Sequence, residues 1–161
     1  MISQRLSDFF VEQVGYELTA HEDYMGIALY FDRQGLRQWG RFFRNQSVEE
    51  AQHGVRIIDF LTDNEVEFDL PALPGATTRF ESALAAAEAA LGWERAVTER
   101  FRKASGDALA ENDHTSHQFL QWFISEQVEE EAKMLQVIDL LRSGINLFQA
   151  EPLLDGLEGE D

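Results

Sequence analysis

Residues 39–60 read WGRFFRNQSVEEAQHGVRIIDF, and they combine a helical apolar repeat with polar residues at its centre. The repeat advances by alternating steps of four and three residues, which keeps its members on one face of a helix. Its positions in order are Trp39, Phe43, Gln46, Glu50, His53, Ile57 and Phe60. A buried, unpaired carboxylate is so costly that it normally takes up a proton. Glu50 and His53 therefore predict a core-facing helix side that holds something positively charged.

Three further segments carry the same interrupted repeat. The four segments are about 4–32, 36–61, 80–110 and 113–143, and the last begins at Asp113, a residue type preferred at helix N-caps. A polar residue stands where a core side chain is expected in each of the other three segments: Glu17, Glu94, and Glu130 with Gln127. Four amphipathic helices with this stepping predict an all-α four-helix bundle.

The breaker-rich linker at 62–78, with Pro71, Pro74 and Gly75, predicts the topology. Its residues reach roughly 55 Å when extended, whereas the second helix is about 39 Å long. The linker can therefore span the bundle, so the second and third helices run parallel, as in bundles with one long crossover such as the ferritin-like group.

We expect a single domain over residues 1–161, with the bundle at about 4–143. In the tail at 146–161 we expect a short fifth helix starting near Pro152.

Composition excludes several classes of protein. The formal net charge is -17 over 161 residues, which argues against a nucleic-acid partner because such partners require a basic face. There is no cysteine, so disulfides and thiolate metal sites are excluded. No apolar run approaches the roughly 20 residues that span a bilayer, and the first ten residues show no signal-peptide pattern. We expect a soluble cytoplasmic protein with no membrane partner.

Glu50 and His53 form an E-x-x-H unit, whose side chains lie on one helix face and can bind one ion. Together with the glutamates of the other helices they predict two metal positions. One is formed by Glu17, Glu50 and His53; the other, poor in nitrogen, is formed by Glu50, Glu94 and Glu130 with Gln127 nearby. Carboxylates with one imidazole suit iron or manganese, and zinc can compete. The alternative is a buried polar network, or helix faces that differ from those assigned.

The chain resembles the bacterial non-haem ferritins over nearly its whole length. The residues that carry the resemblance are Glu17 and Tyr24 in YELTAHEDY, residues 49–53 (EEAQH), Glu94 in GWER, and residues 119–131 (FLQWFISEQVEEE). The resemblance implies a ferroxidase, which binds Fe(II) at a di-iron centre and oxidises it with O₂ or H₂O₂. It further implies that ferric mineral is stored in a homo-oligomeric cage of about 24 subunits. Haem-binding bacterioferritins have a methionine inside the E-x-x-H unit, where this chain has Ala51 and Gln52, so no haem is expected.

The resemblance also implies a third iron site and a redox-active neighbourhood. Three glutamates match the third site, and each directly precedes a position of the repeat: Glu49, Glu126 and Glu129. The alternative for them is a solvated acidic face. Tyr24, with Trp122 as its companion, is expected beside the di-iron centre, and plain core packing is the alternative for both.

The remaining histidines have ordinary interpretations. His21 follows Glu17 by one helical turn, and we interpret it as a satisfied core or interface histidine rather than as an auxiliary ligand. His114 and His117 fall at the turn between the last two long helices. In ferritins this region borders the threefold pores, so the resemblance offers a role in iron entry for both histidines, and a solvated loop is the equal alternative.

Two alternative functions come from other classes. A rubrerythrin-like di-iron oxidase or peroxidase would act on peroxide without storing iron. Such proteins generally have a second E-x-x-H and often a cysteine-rich domain, whereas residues 127–130 read QVEE and the chain has no cysteine. The other alternative is a structural bundle without metal.

Overall fold

The computed structural model describes residues 2–158, which form helices and connecting turns without any strand. The four long helices are α1 (Gln4–Asp32), α2 (Arg37–Asp63), α3 (Ala83–Ala110) and α4 (His114–Arg142). A short α5, Leu147–Ala150, continues directly into a 3₁₀ helix, Glu151–Gly156. The predicted all-α bundle is confirmed over these residues.

Side-chain caps determine where the helices begin. Asp113 Oδ1 accepts a hydrogen bond from the backbone N–H of Ser116 at 2.9 Å, which confirms the predicted cap of α4. Ser82 Oγ accepts from the backbone N–H of Ala85 at 3.0 Å. Helix α3 therefore begins directly after Ser82, and the start predicted near Phe80 was three residues too early.

The fifth helix begins earlier than predicted. Asn146 Oδ1 accepts from the backbone N–H groups of Phe148 and Gln149, at 3.0 and 3.4 Å, and this cap starts α5 at Leu147. Pro152 lies instead in the first turn of the following 3₁₀ helix, which packs against α2. Residues 159–161 of the predicted tail lie outside the described residues.

Two buried hydrophobic clusters establish the direction of each helix. One takes side chains from the start of α1, the end of α2, the end of α3 and the start of α4: Phe10, Val14, Ile57, Leu61, Phe101, Leu120 and Phe123. The other takes them from the opposite helix ends: Phe31, Trp39, Phe43, Ala87, Met134 and Val137. Helices α2 and α3 are therefore parallel, and α1 and α4 are antiparallel to them, as the linker predicted.

The crossover between α2 and α3 runs along α1. Pro71 lies against Gly15, and Thr77 lies against Gly26. A Cβ atom on Gly26 would be 2.1 Å from the carbonyl oxygen of Thr77, so only glycine permits this approach. Among the described residues, none of the helices has an apolar stretch that would cross a membrane.

Candidate metal centre

A belt of polar side chains separates the two hydrophobic clusters at mid-height of the bundle. Each long helix contributes one glutamate to it, and all four are at most 4 % exposed: Glu17, Glu50, Glu94 and Glu130. His53 on α2 is buried beside them. Carboxylates are almost never fully buried unless they are paired or bind a cation. The belt is therefore the part of the core whose composition apolar packing cannot explain.

The first group in the belt consists of Glu17, Glu50 and His53. One ligand atom from each lies within 4.8 Å of the other two. His53 Nδ1 is 3.7 Å from Glu17 Oε2 and 3.6 Å from Glu50 Oε2. Burial disfavours the imidazolium, but the hydrogen bonds and charges of the two carboxylates outweigh it and raise the pKa of His53 to about 11. Without a metal, a proton on His53 thus supplies the positive charge of this group.

Helix α1 holds Glu17 through a hydrogen-bonded chain. Gln13 Nε2 donates to Glu17 Oε1 at 2.7 Å, one turn away on the same helix. Arg100 Nε on α3 donates in turn to Gln13 Oε1 at 2.8 Å. The chain fixes the orientation of Glu17, as partners outside the ligand set commonly do at metal sites.

The second group consists of Glu50, Glu94 and Glu130, with ligand atoms again within 4.8 Å of one another. It contains no histidine, and it shares Glu50 with the first group. Burial and the charge of Glu94 raise the pKa of Glu50 well above its usual value. Burial raises the pKa of Glu130 to about 7, although the ammonium of Lys133 opposes that change. Three carboxyl groups this close cannot all remain ionised without a cation.

Hydrogen bonds orient Glu94 in the second group. The Tyr24 hydroxyl donates to Glu94 Oε1 at 2.5 Å, and Gln127 Nε2 donates to Glu94 Oε2 at 3.1 Å. Gln127 Nε2 also faces the main-chain oxygen of Glu94 at 3.1 Å. The structure thus places Tyr24 and Gln127 in contact with a candidate ligand, with the Gln127 amide acting as a donor.

Glu130 has one satisfied and one unsatisfied oxygen. Its Oε1 accepts from Lys133 Nζ at 3.3 Å. Its Oε2 is buried and has no hydrogen-bond partner among the described residues. Buried polar atoms are satisfied in the great majority of cases. The free oxygen therefore suits a cation at this position.

Lys133 is the residue at this site that the sequence argument missed. Its ammonium also contacts Glu49 Oε2 at 3.1 Å and Gln46 Oε1 at 3.2 Å on α2. Burial disfavours its charge, but the carboxylates of Glu130 and Glu49 outweigh burial and raise the pKa of Lys133. Lys133 follows Glu130 by three residues, the spacing that pairs Glu50 with His53, so the sequence offered it as a candidate neighbour of Glu130.

The other candidate residues belong to neither of the two groups. Glu49 is at the flank, with a side chain 40 % exposed. Glu126 is partly buried and Glu129 is exposed. His21 Nδ1 lies 2.8 Å from both the hydroxyl and the carbonyl oxygen of Ser47, so a contact outside both groups satisfies it.

Aromatic and turn residues complete the surroundings. The Trp122 ring packs edge-on against His53, with ring centroids 5.5 Å apart. The guanidinium of Arg56 lies over the same Trp122 ring, 4.0 Å from its centroid. At the α3–α4 turn, His117 Nδ1 lies 3.0 Å from Ser105 Oγ, while His114 is exposed. The structure brings Trp122 to the centre and leaves both turn histidines away from it.

The geometry agrees with a comparison against protein families, in which the ferritin-like domain matches residues 8–143. The chain belongs to the ferritin family. Among curated ferritins, ferritin BfrB of Mycolicibacterium smegmatis is 37% identical over 87% of this chain and 78% of the relative. The bacterial non-heme ferritin of Staphylococcus saprophyticus is 36% identical over 88% of this chain and 84% of the relative. These matches confirm the resemblance that the sequence predicted.

Solved ferritin structures superpose on the whole chain. An open pore ferritin from the archaeon Archaeoglobus fulgidus matches with a TM-score of 0.92 and 30% identity, covering 100% of both chains. An engineered closed form of the Archaeoglobus fulgidus ferritin matches with a TM-score of 0.90 and 31% identity, covering 100% of this chain and 99% of that one. Fold and family together support iron storage as the general function of this ferritin, and iron oxidation as its general activity.

Proposed function

We propose that the chain binds two Fe(II) ions in the polar belt, oxidises them, and passes the product to a stored ferric mineral. The observation that carries the proposal is the pair of buried groups that share Glu50. Glu17, Glu50 and His53 hold one ion, and Glu50, Glu94 and Glu130 hold the other. Hard carboxylate oxygens with one imidazole are a donor set suited to iron.

The two positions differ in their expected affinity. The first has an imidazole nitrogen, and Gln13 fixes Glu17 beside it. The second has carboxylates only, and the Lys133 ammonium already forms an ion pair with one of them, Glu130. We therefore expect the second ion to bind more weakly and to leave more readily. An unequal pair of this kind suits iron as a substrate in transit better than iron as a permanent cofactor.

Oxidation has a simple electron and proton balance. Each Fe(II) gives up one electron. O₂ takes two electrons and two protons to become H₂O₂, or H₂O₂ takes two electrons and two protons to become two water molecules. The chain contributes the binding groups and the short hydrogen bond from Tyr24 to Glu94. The proton on His53 is released to solvent when iron binds, and the protons that O₂ or H₂O₂ takes up come from solvent.

The resemblance extends the proposal beyond the pair. Glu49, Glu126 and Glu129 would form a third iron site on the flank, and about 24 copies of the chain would form the storage cage in the cytoplasm. No haem takes part in this proposal. Glu49 lies beside the second group through Lys133, which supports a route from the pair to the flank.

Iron loading tests the proposal. Purified iron-free protein receives increasing Fe(II) in air, and retained iron and particle size are measured. Hundreds of iron ions in each cage-sized particle are expected. A plateau near two ions per subunit would favour a rubrerythrin-like enzyme, and absence of binding would refute both readings.

Paired variants assign the chemistry to the belt. Glu50→Ala with His53→Ala should abolish fast oxidation while particle size is retained, because loss of buried charge seldom unfolds a bundle. Glu99→Ala is the matched control, since Glu99 is a helical glutamate of α3 whose side chain is 72% exposed. Equal loss of rate in the control would contradict the assignment.

A further inference from the structure

Lys133 places a permanent positive charge where the buried pair meets the acidic flank. Its ammonium is 3.3 Å from Glu130 Oε1 in the pair and 3.1 Å from Glu49 Oε2 on the flank. Side-chain exposure is 40% at Glu49, 12% at Lys133 and 4% at Glu130. Lys133 thus lies between solvent and the position without histidine.

The choice of residue is unusual for this chain. Lys133 is one of only two lysines, and the remaining basic residues are arginines. An ammonium is a compact point charge, whereas a guanidinium is a broad planar fork. The other lysine, Lys103, lies on the surface with its side chain 75% exposed and binds Asp107 at 3.2 Å. The chain therefore provides its own control for lysine chemistry away from the site.

We propose that Lys133 is a tethered counter-ion that competes with divalent cations for the carboxylates of Glu130 and Glu49. The proposal rests on the proposed function, since it assumes a cation position at Glu50, Glu94 and Glu130. In the iron-free protein the ammonium takes one oxygen of Glu130 and bridges α4 to α2 through Gln46 and Glu49. When a divalent cation enters, the two positive charges repel each other, so the cation is held weakly.

Two effects of Lys133 oppose each other, and their sizes decide the outcome. Its hydrogen bond orients Glu130 and leaves Oε2 free, and a bond between charged groups changes an equilibrium by roughly ten- to a hundredfold. Its charge stands close to the expected cation, where repulsion between a single and a double positive charge in a partly buried site is on the order of a thousandfold or more. Repulsion therefore dominates, and Lys133 weakens binding at the histidine-free position and on the flank.

The test measures binding of Zn²⁺, a redox-inert probe, to the iron-free protein by titration calorimetry and equilibrium dialysis. Lys133→Met removes the charge with little change in shape, and Lys133→Gln removes it while keeping a hydrogen-bonding group. Both should bind Zn²⁺ at least about tenfold more tightly at the weaker position, or bind one more ion per subunit. Lys103→Met, which removes a charge from the surface, should match the unsubstituted protein. Lys133→Arg, which keeps the charge at the site, should not bind Zn²⁺ more tightly than the unsubstituted protein does.

The Zn²⁺ measurements distinguish a competing counter-ion from a structural link or a general effect of net charge. Unchanged or weaker Zn²⁺ binding in both neutral variants would overturn the inference, because Lys133 would then be only a structural link between α2 and α4. Tighter binding in Lys103→Met as well would also overturn it, since net charge alone would explain the effect. An unsubstituted protein that bound no Zn²⁺ would refute the proposed metal positions themselves, and this inference with them.

Discussion

Replacing Glu130 by glutamine should stabilise the iron-free protein, and the gain should grow with pH. Burial raises the pKa of Glu130 from its ordinary 4.5 to about 7, so the folded protein holds this proton more strongly than the unfolded chain does. The stability that this proton contributes is therefore fully present below pH 4.5 and is lost as the pH rises through about 7. Glutamine has nearly the same shape and carries no ionisable proton, so it removes this loss.

The structure sets the size of the effect. One pKa unit corresponds to about 1.4 kcal/mol, so the raised pKa of Glu130 costs the folded state about 3 kcal/mol above pH 7. About 2–3 kcal/mol of that develops between pH 5 and pH 8. For a chain of this size 1 kcal/mol moves Tm by about 2–4 °C. Glu130→Gln should therefore raise Tm by about 5–10 °C more at pH 8 than at pH 5.

Differential scanning calorimetry of the iron-free protein checks this expectation at a fixed scan rate and protein concentration. Glu129→Gln is the matched control, because Glu129 is the preceding residue on α4 and is exposed. An equal gain for Glu130→Gln at both pH values would refute the argument from buried charge. A similar pH-dependent gain in the control would refute it as well.

Three further predictions concern protons, the tyrosine and the crossover. Because the pKa of His53 is about 11, Zn²⁺ binding should release at least one proton and should tighten from pH 6 to 8. Released protons are taken up by the buffer, so equal calorimetric heats in buffers of different ionisation enthalpy would contradict this. Tyr24→Phe removes the hydrogen bond to Glu94 and should lower stability by about 1–3 kcal/mol in thermal unfolding. The number of Zn²⁺ ions bound should not change because Gln127 still orients Glu94, and loss of an ion would show that Gln127 alone is not sufficient. Gly26→Ala should destabilise the protein by about 1–3 kcal/mol because the backbone of the crossover occupies the space that a Cβ atom needs. Gly92→Ala, on an open helix surface, should be neutral or stabilising. Equal Tm values for the two variants would contradict the close approach at Gly26.

Local periodicity explains why the sequence predicted so much of the fold. A helix repeats every 3.6 residues, so the steps from Trp39 to Phe60 reveal a buried face without any tertiary information. Caps are equally local, as Asp113 shows at the start of α4. The starts predicted near Phe80 and Pro152 were wrong because Ser82 and Asn146 are the N-caps, and they begin the two helices at Ala83 and Leu147.

The candidate site was likewise predicted in part from local sequence pattern, and the rest depends on contacts between helices. Each glutamate of the belt was visible as an interruption of an apolar face, and Glu50 with His53 was visible as a pair on one helical turn. The role of Gln127 was not visible, because an amide offers both a donor and an acceptor. Only its approach to Glu94 across the α3–α4 interface shows that the donor is used.

The sequence by itself determined four helices, their directions, and which positions in each interrupt the core, because periodicity and linker reach are properties of a single chain segment. The sequence already predicted that Glu50 is shared, but only tertiary packing brings the ligand atoms of each group within 4.8 Å of one another, since the axial level of one helix against another depends on how their side chains interlock. Tertiary packing also decided that Lys133 turns inward between Glu130 and Glu49. A lysine three residues from a glutamate lies equally well in solvent, and only the carboxylate on the opposite helix holds its charge inside the bundle.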